Sequence, residues 1–308
     1  MTIMDTLVAR AMGKSVRIVF PEGADERIVQ AAHELESRDI AQPLVLCDEN
    51  LTKKSEYAAA LTDRTGMPAE ILEMMFSDPL NYAAAMVALG DAEGMVAGLS
   101  CATQDVIMSA QMIIGLAEGI SLPSSFFIME LPVDAAGYEL GEDGCLVFAD
   151  CAVVANPTTS ELADIAIATA DSVARLLKWQ PRVAMLSFST HTSAVHDDVT
   201  KVTEALRKIH TTRPDIVADG EFQADTALVA SIAAHKVKGE SKVAGCANVL
   251  VFPDLDAGNI AYKLVQRLAG AKAYGPVLQG FAKPVSDLSR GATLPDIVGA
   301  ATLIAAQR

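Results

Sequence analysis

The chain has 308 residues, enough for about two domains of ordinary size, and carries a formal net charge of −15 at neutral pH. So strong a negative charge argues against a nucleic-acid-binding protein, which needs a basic face to meet the phosphates. A small anionic ligand is not excluded, because it needs only a few local hydrogen-bond donors.

The cysteines and histidines indicate a reduced compartment and no metal site. The five cysteines are widely spaced and include no Cys-x-x-Cys pair: Cys47, Cys101, Cys145, Cys151 and Cys246. The histidines have no metal-type spacing. There is no signal peptide pattern and no uncharged apolar run of transmembrane length. We therefore expect a cytoplasmic protein that has no membrane segment and binds no metal.

Strand-like and helix-like segments alternate in the first part of the chain. A β-branched run at 16–20 ends at Pro21-Glu22-Gly23, and a helix then begins with Asp25 placed to cap it. The pattern continues with strands at 43–46 and 94–99 and helices at 50–67, 80–89 and 106–116. This alternation is typical of βαβ units around a parallel sheet.

The alternation of strand-like and helix-like segments stops near residue 122. Strand-like runs at 126–131, 146–148 and 151–154, with Gly137, Gly141 and Gly144 between them, indicate a hairpin at one sheet edge. Alternation then resumes, with strands at 183–187, 216–218 and 249–252 and helices at 160–179, 199–209, 224–236, 258–268 and 294–306. The sequence therefore predicts an α/β fold with mainly parallel sheets.

Two polar loops follow predicted strands, at 100–103 and 187–193. Ligands of open parallel sheets bind beyond the carboxyl ends of the strands. Hydroxyl and backbone N–H groups at a helix start can hold an anion, although Ser and Thr there also serve as ordinary N-caps. Neither a Gly-x-Gly-x-x-Gly loop nor a Walker-type loop occurs.

The C-terminal segment offers a second candidate site. Ser289 and Arg290 precede Gly291, and Asp296 falls in the first turn of the last predicted helix. The residues alone favour a structural interpretation, in which Thr293 is the N-cap and Asp296 completes a capping box.

Sequence blocks at many places along the chain indicate a family. They lie at residues 20–23, 78–83, 94–98, 148–153, 162–166, 183–190, 219–221, 247–255, 258–263, 266–268, 275–276, 283–284 and 287–291. In these blocks, and in their order, the chain resembles the phosphate acetyl/butyryl transferase family over nearly its whole length. The number of blocks makes the resemblance specific.

The resemblance implies two α/β/α domains with mainly parallel sheets and an active-site cleft between them. Domain one would comprise residues 1–122 and 279–308, domain two residues 123–278, and the protein would be a homodimer. The implied reaction transfers an acyl group between coenzyme A (CoA) and phosphate. CoA is then a substrate, and no metal or redox cofactor takes part.

The resemblance also implies roles for individual residues. Asp296 matches the base that takes the CoA thiol proton, Ser289 the hydroxyl that orients the reacting group, and Arg290 the cation that stabilises negative charge. A free aspartate and a thiol differ by about 4.6 pKa units, or roughly 6 kcal/mol, so the site must raise one pKa or lower the other. Expected to bind the anionic substrates are Arg267, Arg64, Ser189, Thr190 and Ser193.

The chain departs from the family at several positions. Met108 stands where an Arg is usual, His191-Thr192 where Lys-Gly is usual, and Cys246 where a Lys is common. Thr192 does not easily adopt the backbone conformations open to Gly. Two alternatives to acetyl transfer therefore stay open: a propionyl- or butyryl-specific transferase and a regulatory protein that binds acyl-CoA. A third alternative is a dehydrogenase of the isocitrate or isopropylmalate type, whose architecture is similar.

Overall fold

A computed structural model describes residues 2–132 and 140–308, so Gly137 of the predicted hairpin lies outside the described residues. The chain divides into two compact units. Unit 1 comprises Met1–Gly119 and Phe281–Arg308, and unit 2 comprises Ile120–Gly280. The sequence-based division placed the borders at residues 122 and 279.

The strands are β1 Arg17–Phe20, β2 Gln42–Val45, β3 Gly94–Ala97, β4 Ser124–Glu130, β5 Cys145–Ala149, β6 Arg182–Leu186, β7 Val217–Phe222, β8 Val249–Val251, β9 Lys272–Gln279 and β10 Val285–Asp287. The helices are α1 Ile3–Ala11, α2 Glu26–Ser37, α3 Lys54–Thr65, α4 Ala69–Met75, α5 Pro79–Leu89, α6 Thr103–Ser109, α7 Thr159–Leu176, α8 Asp197–Thr212, α9 Ala224–Leu228, α10 Ala230–Lys236, α11 Leu255–Leu268 and α12 Leu294–Ala305. A π-helical turn, Ala110–Ile114, extends α6.

Unit 1 has a parallel sheet in the order β2-β1-β3-β10. Apolar residues at helical spacing give α2 one buried face, formed by Ile28, Ala31, Ala32 and Leu35. That helix packs against α12, which also contacts β1, β3 and β10. The predicted cap of α2 is confirmed, because the Asp25 side chain accepts a hydrogen bond from the Arg27 N–H.

Unit 2 has a mainly parallel sheet in the order β9-β4-β5-β8-β6-β7, in which β4 runs antiparallel to β5 and β9. The antiparallel pairing of β4 with β5, with Phe127 opposite Phe148, confirms the predicted strand pair. Its predicted place at a sheet edge is wrong, because β9 pairs with the other side of β4 and β8 with the other side of β5. One core cluster includes both phenylalanines, Leu186, Phe222 and Leu250. The α/β class with mainly parallel sheets is confirmed.

The structure corrects several sequence-based elements. The strand predicted at 151–154 is instead a turn around the buried Asp150, whose carboxylate accepts the N–H groups of Ala152, Val153 and Val154. The helix predicted at 224–236 is interrupted at Val229 and forms α9 and α10. Strands β9 and β10 and helices α1 and α4 were not predicted. In the described ranges, no helix has both the length and the apolar character needed to cross a membrane.

Candidate functional site

In unit 1, the loops after β1, β3 and β10 leave the same edge of a parallel sheet. Glu22, two residues after the end of β1, organises the loop that follows β3. Its Oε2 accepts the N–H groups of Gly98 and Leu99, both at 3.0 Å. Its Oε1 accepts the Ser100 N–H at 2.5 Å and the Ser100 hydroxyl at 2.7 Å. The donors that sequence analysis offered to an anionic ligand therefore already bind a carboxylate of the chain.

The capping interpretation of this loop is wrong. The N-cap of α6 is Ala102, and no hydroxyl caps the helix. The Ala102 N–H donates to Asp105 Oδ2 at 3.2 Å. Ser100 instead contacts Glu22, and the Thr103 hydroxyl donates to Asp287 Oδ2 at 2.5 Å.

Asp287, the last residue of β10, is a buried carboxyl group. Its Oδ1 has no hydrogen-bond partner among the described residues, and Gly98 leaves it room, since a Cβ there would lie 2.5 Å from Oδ1. Burial raises the pKa of Asp287 to about 6, and the charge of Glu22 adds to this, whereas hydrogen bonds from Thr103 and Leu288 oppose it. Burial likewise raises the pKa of the Cys101 thiol to about 12, so this cysteine stays protonated at neutral pH.

The residues predicted to carry out catalysis follow β10 closely. Ser289, Arg290 and Asp296 are all exposed. Asp296 Oδ2 accepts the Thr293 N–H at 2.8 Å and the Thr293 hydroxyl at 2.7 Å, which confirms the predicted capping contact. Ser289 Oγ accepts the Gly291 N–H at 3.3 Å. Across residues 2–132 and 140–308, the Arg290 guanidinium has no hydrogen-bond or ion-pair partner, which leaves it available to an anion.

In unit 2, the loop after β6 is also organised by a glutamate. Glu221 is 1% exposed, and its Oε1 accepts the Ser189 hydroxyl at 2.6 Å and the Thr192 N–H at 2.8 Å. Ser193 Oγ accepts the Thr190 N–H at 3.0 Å. The structure thus brings Ser189, Thr190 and Ser193 together, but their recorded contacts are within unit 2 and support the loop itself.

The helix that follows this loop, α8, is capped by His196 and not by a Ser or Thr. His196 Nδ1 accepts the Asp198 N–H at 3.2 Å. The capping interpretation is therefore wrong for this loop too. His191 and Thr192, two of the departures from the family, have φ angles of 46° and 63°. At Thr192 the backbone thus takes a left-handed conformation at the position where Gly is usual in the family.

The two remaining predicted residues differ in their surroundings. The Arg64 guanidinium donates to the carbonyl oxygen of Ala88, at 3.2 Å, and to that of Ile114. Both carbonyls lie in the last turns of helical segments, where a cation is favourable. These contacts indicate a structural role for Arg64. Arg267 is exposed in the last turn of α11, in unit 2.

No motif in the sequence indicated a role for Glu22, Asp287 or Glu221. Each lies within two residues of the end of a β-strand. Asp287 and Glu221 are buried and Glu22 is half-buried, which the sequence pattern did not indicate. Their partners lie far away in sequence: Glu22 contacts residues 76 to 78 positions further on. Their position near a strand end was the available sequence signal for a functional residue, but that position does not identify the hydrogen-bond partner.

The sequence matches the phosphate acetyl/butaryl transferase family over residues 2–63 and 47–306. The chain belongs to this family. It is 40% identical to a phosphate acetyltransferase of Acetivibrio thermocellus, over 100% of this chain and 98% of the relative. It is 46% identical to one of Clostridium acetobutylicum, over 93% of this chain and 86% of the relative. A phosphotransacetylase structure from Streptococcus pyogenes superposes with a TM-score of 0.89 at 37% identity and covers 99% of this chain and 97% of that structure's chain.

These findings confirm the predicted family and the acyltransferase class of enzyme. They also displace the dehydrogenase alternative, because the relatives that match along almost the whole chain are phosphate acetyltransferases. The roles of individual residues stay predictions.

Replacing Asp287 with Asn should stabilise the protein increasingly as the pH rises. With a folded-state pKa of about 6, the carboxyl group destabilises the fold once it ionises. The penalty is absent below the unfolded-state pKa, near 3.9, and is complete above about pH 6. The free energy of unfolding of Asp287→Asn relative to wild type should rise by about 2 kcal/mol between pH 4 and pH 7, measured by urea denaturation. Asp63→Asn, which removes an exposed carboxylate of α3, is the control, and an equal rise there would contradict this explanation.

Replacing Thr192 with Gly should raise the free energy of unfolding by about 1 kcal/mol, because a β-branched residue is strained at positive φ. Urea denaturation at pH 7 measures the change. Thr203→Gly, in the middle of α8, is the control and should lower stability, since Gly disfavours a helix interior. A loss of stability in both variants would show that the Thr192 backbone is not strained.

Proposed function

We propose that this chain catalyses the reaction of CoA with acetyl phosphate to give acetyl-CoA and phosphate, in either direction. One observation carries the proposal: the segment after β10 presents an exposed hydroxyl, cation and carboxylate, as Ser289, Arg290 and Asp296, and the cation has no partner among the residues that the structure describes. The relatives named phosphate acetyltransferase support it.

Asp296 acts as the base. Both of its recorded hydrogen bonds are to Oδ2, so in the described structure Oδ1 is left to take the CoA thiol proton. The thiolate then attacks the carbonyl carbon of acetyl phosphate. A carbon–sulfur bond forms. The bond between the carbonyl carbon and the oxygen that bridges to phosphorus breaks, and phosphate leaves with that electron pair. The carboxyl group returns its proton to phosphate or water.

Ser289 and Arg290 act on the charge that develops. Since Ser289 Oγ accepts a hydrogen bond from the Gly291 N–H, its own hydrogen is left to donate to the acetyl carbonyl oxygen. The Arg290 guanidinium stabilises the negative charge on the phosphate oxygens. A cation beside the thiol also lowers its pKa and so reduces the mismatch with a carboxylate base. No metal or redox cofactor has a role in these steps.

Binding of the anionic part of CoA is assigned to Arg267, which is exposed and has no hydrogen-bond or ion-pair partner in the described ranges. Ser189 and Thr190 are buried and serve this function indirectly, by shaping the loop that exposes Ser193. Arg64 is left out, because its guanidinium is bound to helix carbonyls.

The deciding experiment compares wild type with Asp296→Asn in an assay of thioester formation from CoA and acetyl phosphate. The variant should be at least about 100-fold slower, because the amide cannot take the thiol proton. Asp5→Asn is a matched control, since Asp5 forms the same Thr-x-x-Asp capping contact, with Thr2, at the start of α1. Added EDTA should leave the wild-type rate unchanged.

Equal rates in wild type and Asp296→Asn would limit Asp296 to its capping contact. Turnover with propionyl or butyryl phosphate but not acetyl phosphate would reassign the substrate. If no acyl phosphate reacts while acyl-CoA binds, the chain is a regulatory protein. Such a result would point to the exposed Met108, which stands where the family usually has an Arg, as a cause of the lost activity.

We further propose that the enzyme is a cytoplasmic homodimer. Its five cysteines are free thiols. Ile260, Leu264 and Leu268 form an apolar stripe at four-residue spacing on α11, with exposures of 56%, 51% and 81%. A second copy of the chain would cover this stripe.

Placing a charge in the stripe should dissociate the dimer. Leu264→Asp should elute as a monomer in size-exclusion chromatography with light scattering, under conditions in which wild type is a dimer. Met74→Asp, at another exposed apolar position on α4, is the control and should stay dimeric. A dimeric Leu264→Asp protein would place the interface elsewhere.

A further inference from the structure

We propose that Arg27 is a positioning residue for acyl transfer, because it fixes the segment that carries Ser289 and Arg290. The inference rests on the proposed function.

The Arg27 side chain joins two distant parts of unit 1. Its Nη1 donates to the carbonyl oxygens of Ala292, at 2.8 Å, and Arg290, at 3.3 Å. Its Nε and Nη2 donate to Asp25 Oδ1 and Oδ2, at 3.0 and 2.7 Å. The guanidinium therefore bridges the start of α2 and the segment after β10.

Asp25 is itself fixed, because its Oδ1 accepts the Arg27 N–H at 2.9 Å as the N-cap of α2. The guanidinium hydrogen bonds hold the pKa of Asp25 below its usual value, so the carboxylate stays charged. The bidentate contact with Asp25 requires the planar guanidinium group of arginine, and a lysine ammonium group cannot reproduce it. The guanidinium plane is thereby set, and with it the direction of Nη1.

Stability alone does not account for this arrangement. The side chains of Arg27 and Asp25 are 36% and 29% exposed, and ion pairs this open to water contribute little to folding. The ion pair instead orients Arg27 Nη1 toward the carbonyl oxygens of Arg290 and Ala292, which lie on either side of Gly291. Such a contact restricts the backbone where it is otherwise most permissive.

The segment between β10 and α12 is held at both ends. Upstream, the Leu288 N–H donates to the Ala97 carbonyl at 2.7 Å, which ties it to the sheet. Downstream, Arg27 holds the carbonyls of Arg290 and Ala292. Ser289 and the Arg290 side chain lie between the two. Because a misplacement of about 1 Å can cost on the order of 100-fold in rate, loss of the downstream contact should slow catalysis.

Arg27→Ala should lower kcat at least about tenfold while the KM for CoA changes less than about threefold, since Arg27 orients reacting groups without contacting CoA. Arg27→Lys, which keeps the charge but loses the fork, should recover part of the rate. Arg38→Ala is the matched control, because it removes another exposed ion pair, with Glu34, at the end of the same helix. Its kcat should equal that of wild type. An unchanged kcat in Arg27→Ala, or a rise in KM alone, would overturn the proposal.

Hydrogen exchange measured by mass spectrometry gives a readout that needs no activity. Arg27→Ala should speed exchange in peptides spanning residues 288–294, where the Ala292 N–H donates to the Ser289 carbonyl at 2.8 Å, and Arg38→Ala should not. If Arg27→Ala does not fold, Arg27→Lys carries both measurements. An inactive wild type with faster exchange in the variant would reject the proposed function alone. An active wild type with unchanged exchange would reject the role of Arg27 alone.

Discussion

Capture of loop N–H groups by buried or half-buried carboxylates is the interaction that shapes the polar loops of both units. A backbone N–H without a partner is costly once it leaves water, and a loop that follows a parallel strand has no neighbouring strand to supply one. Glu22 accepts hydrogen bonds from N–H groups of the loop after β3, and Glu221 and Asp150 accept hydrogen bonds from N–H groups in loops of unit 2. The loop shapes are thereby fixed before any ligand arrives.

This internal use of carboxylates separates the two tasks of an anion site. The backbone donors shape the loops, and exposed cations such as Arg290 and Arg267 are left to meet substrate charge. The division suits a protein with a net charge of −15, because a few unpaired guanidinium groups then give local positive potential within an acidic surface. It also explains how the loop after β6 keeps its form with His191 and Thr192 in left-handed conformations.

Local signals made much of the fold predictable, and distant partners made the rest unpredictable. The buried face of α2, the Asp25 cap and the contact between Thr293 and Asp296 all follow from residues within one or two helical turns. Strand β9 was missed because it contains Gly275-Pro276 and is largely open to water in its first half, and β10 because it has three residues. The resemblance to the family indicated Ser289, Arg290 and Asp296, but the burial of Asp287 depends on packing that no short sequence pattern encodes.

Unit 1 is completed by the last segment of the chain. Strand β10 pairs with β3, and α12 packs on α2, with Ile297, Ala301 and Ile304 almost wholly buried. During synthesis on the ribosome, residues 2–119 emerge without these partners, whereas every part of unit 2 emerges before residue 281. The nascent chain can therefore fold unit 2 first. The apolar faces of α2 and β3 stay unpacked until the segment that also contains Ser289, Arg290 and Asp296 has been synthesised.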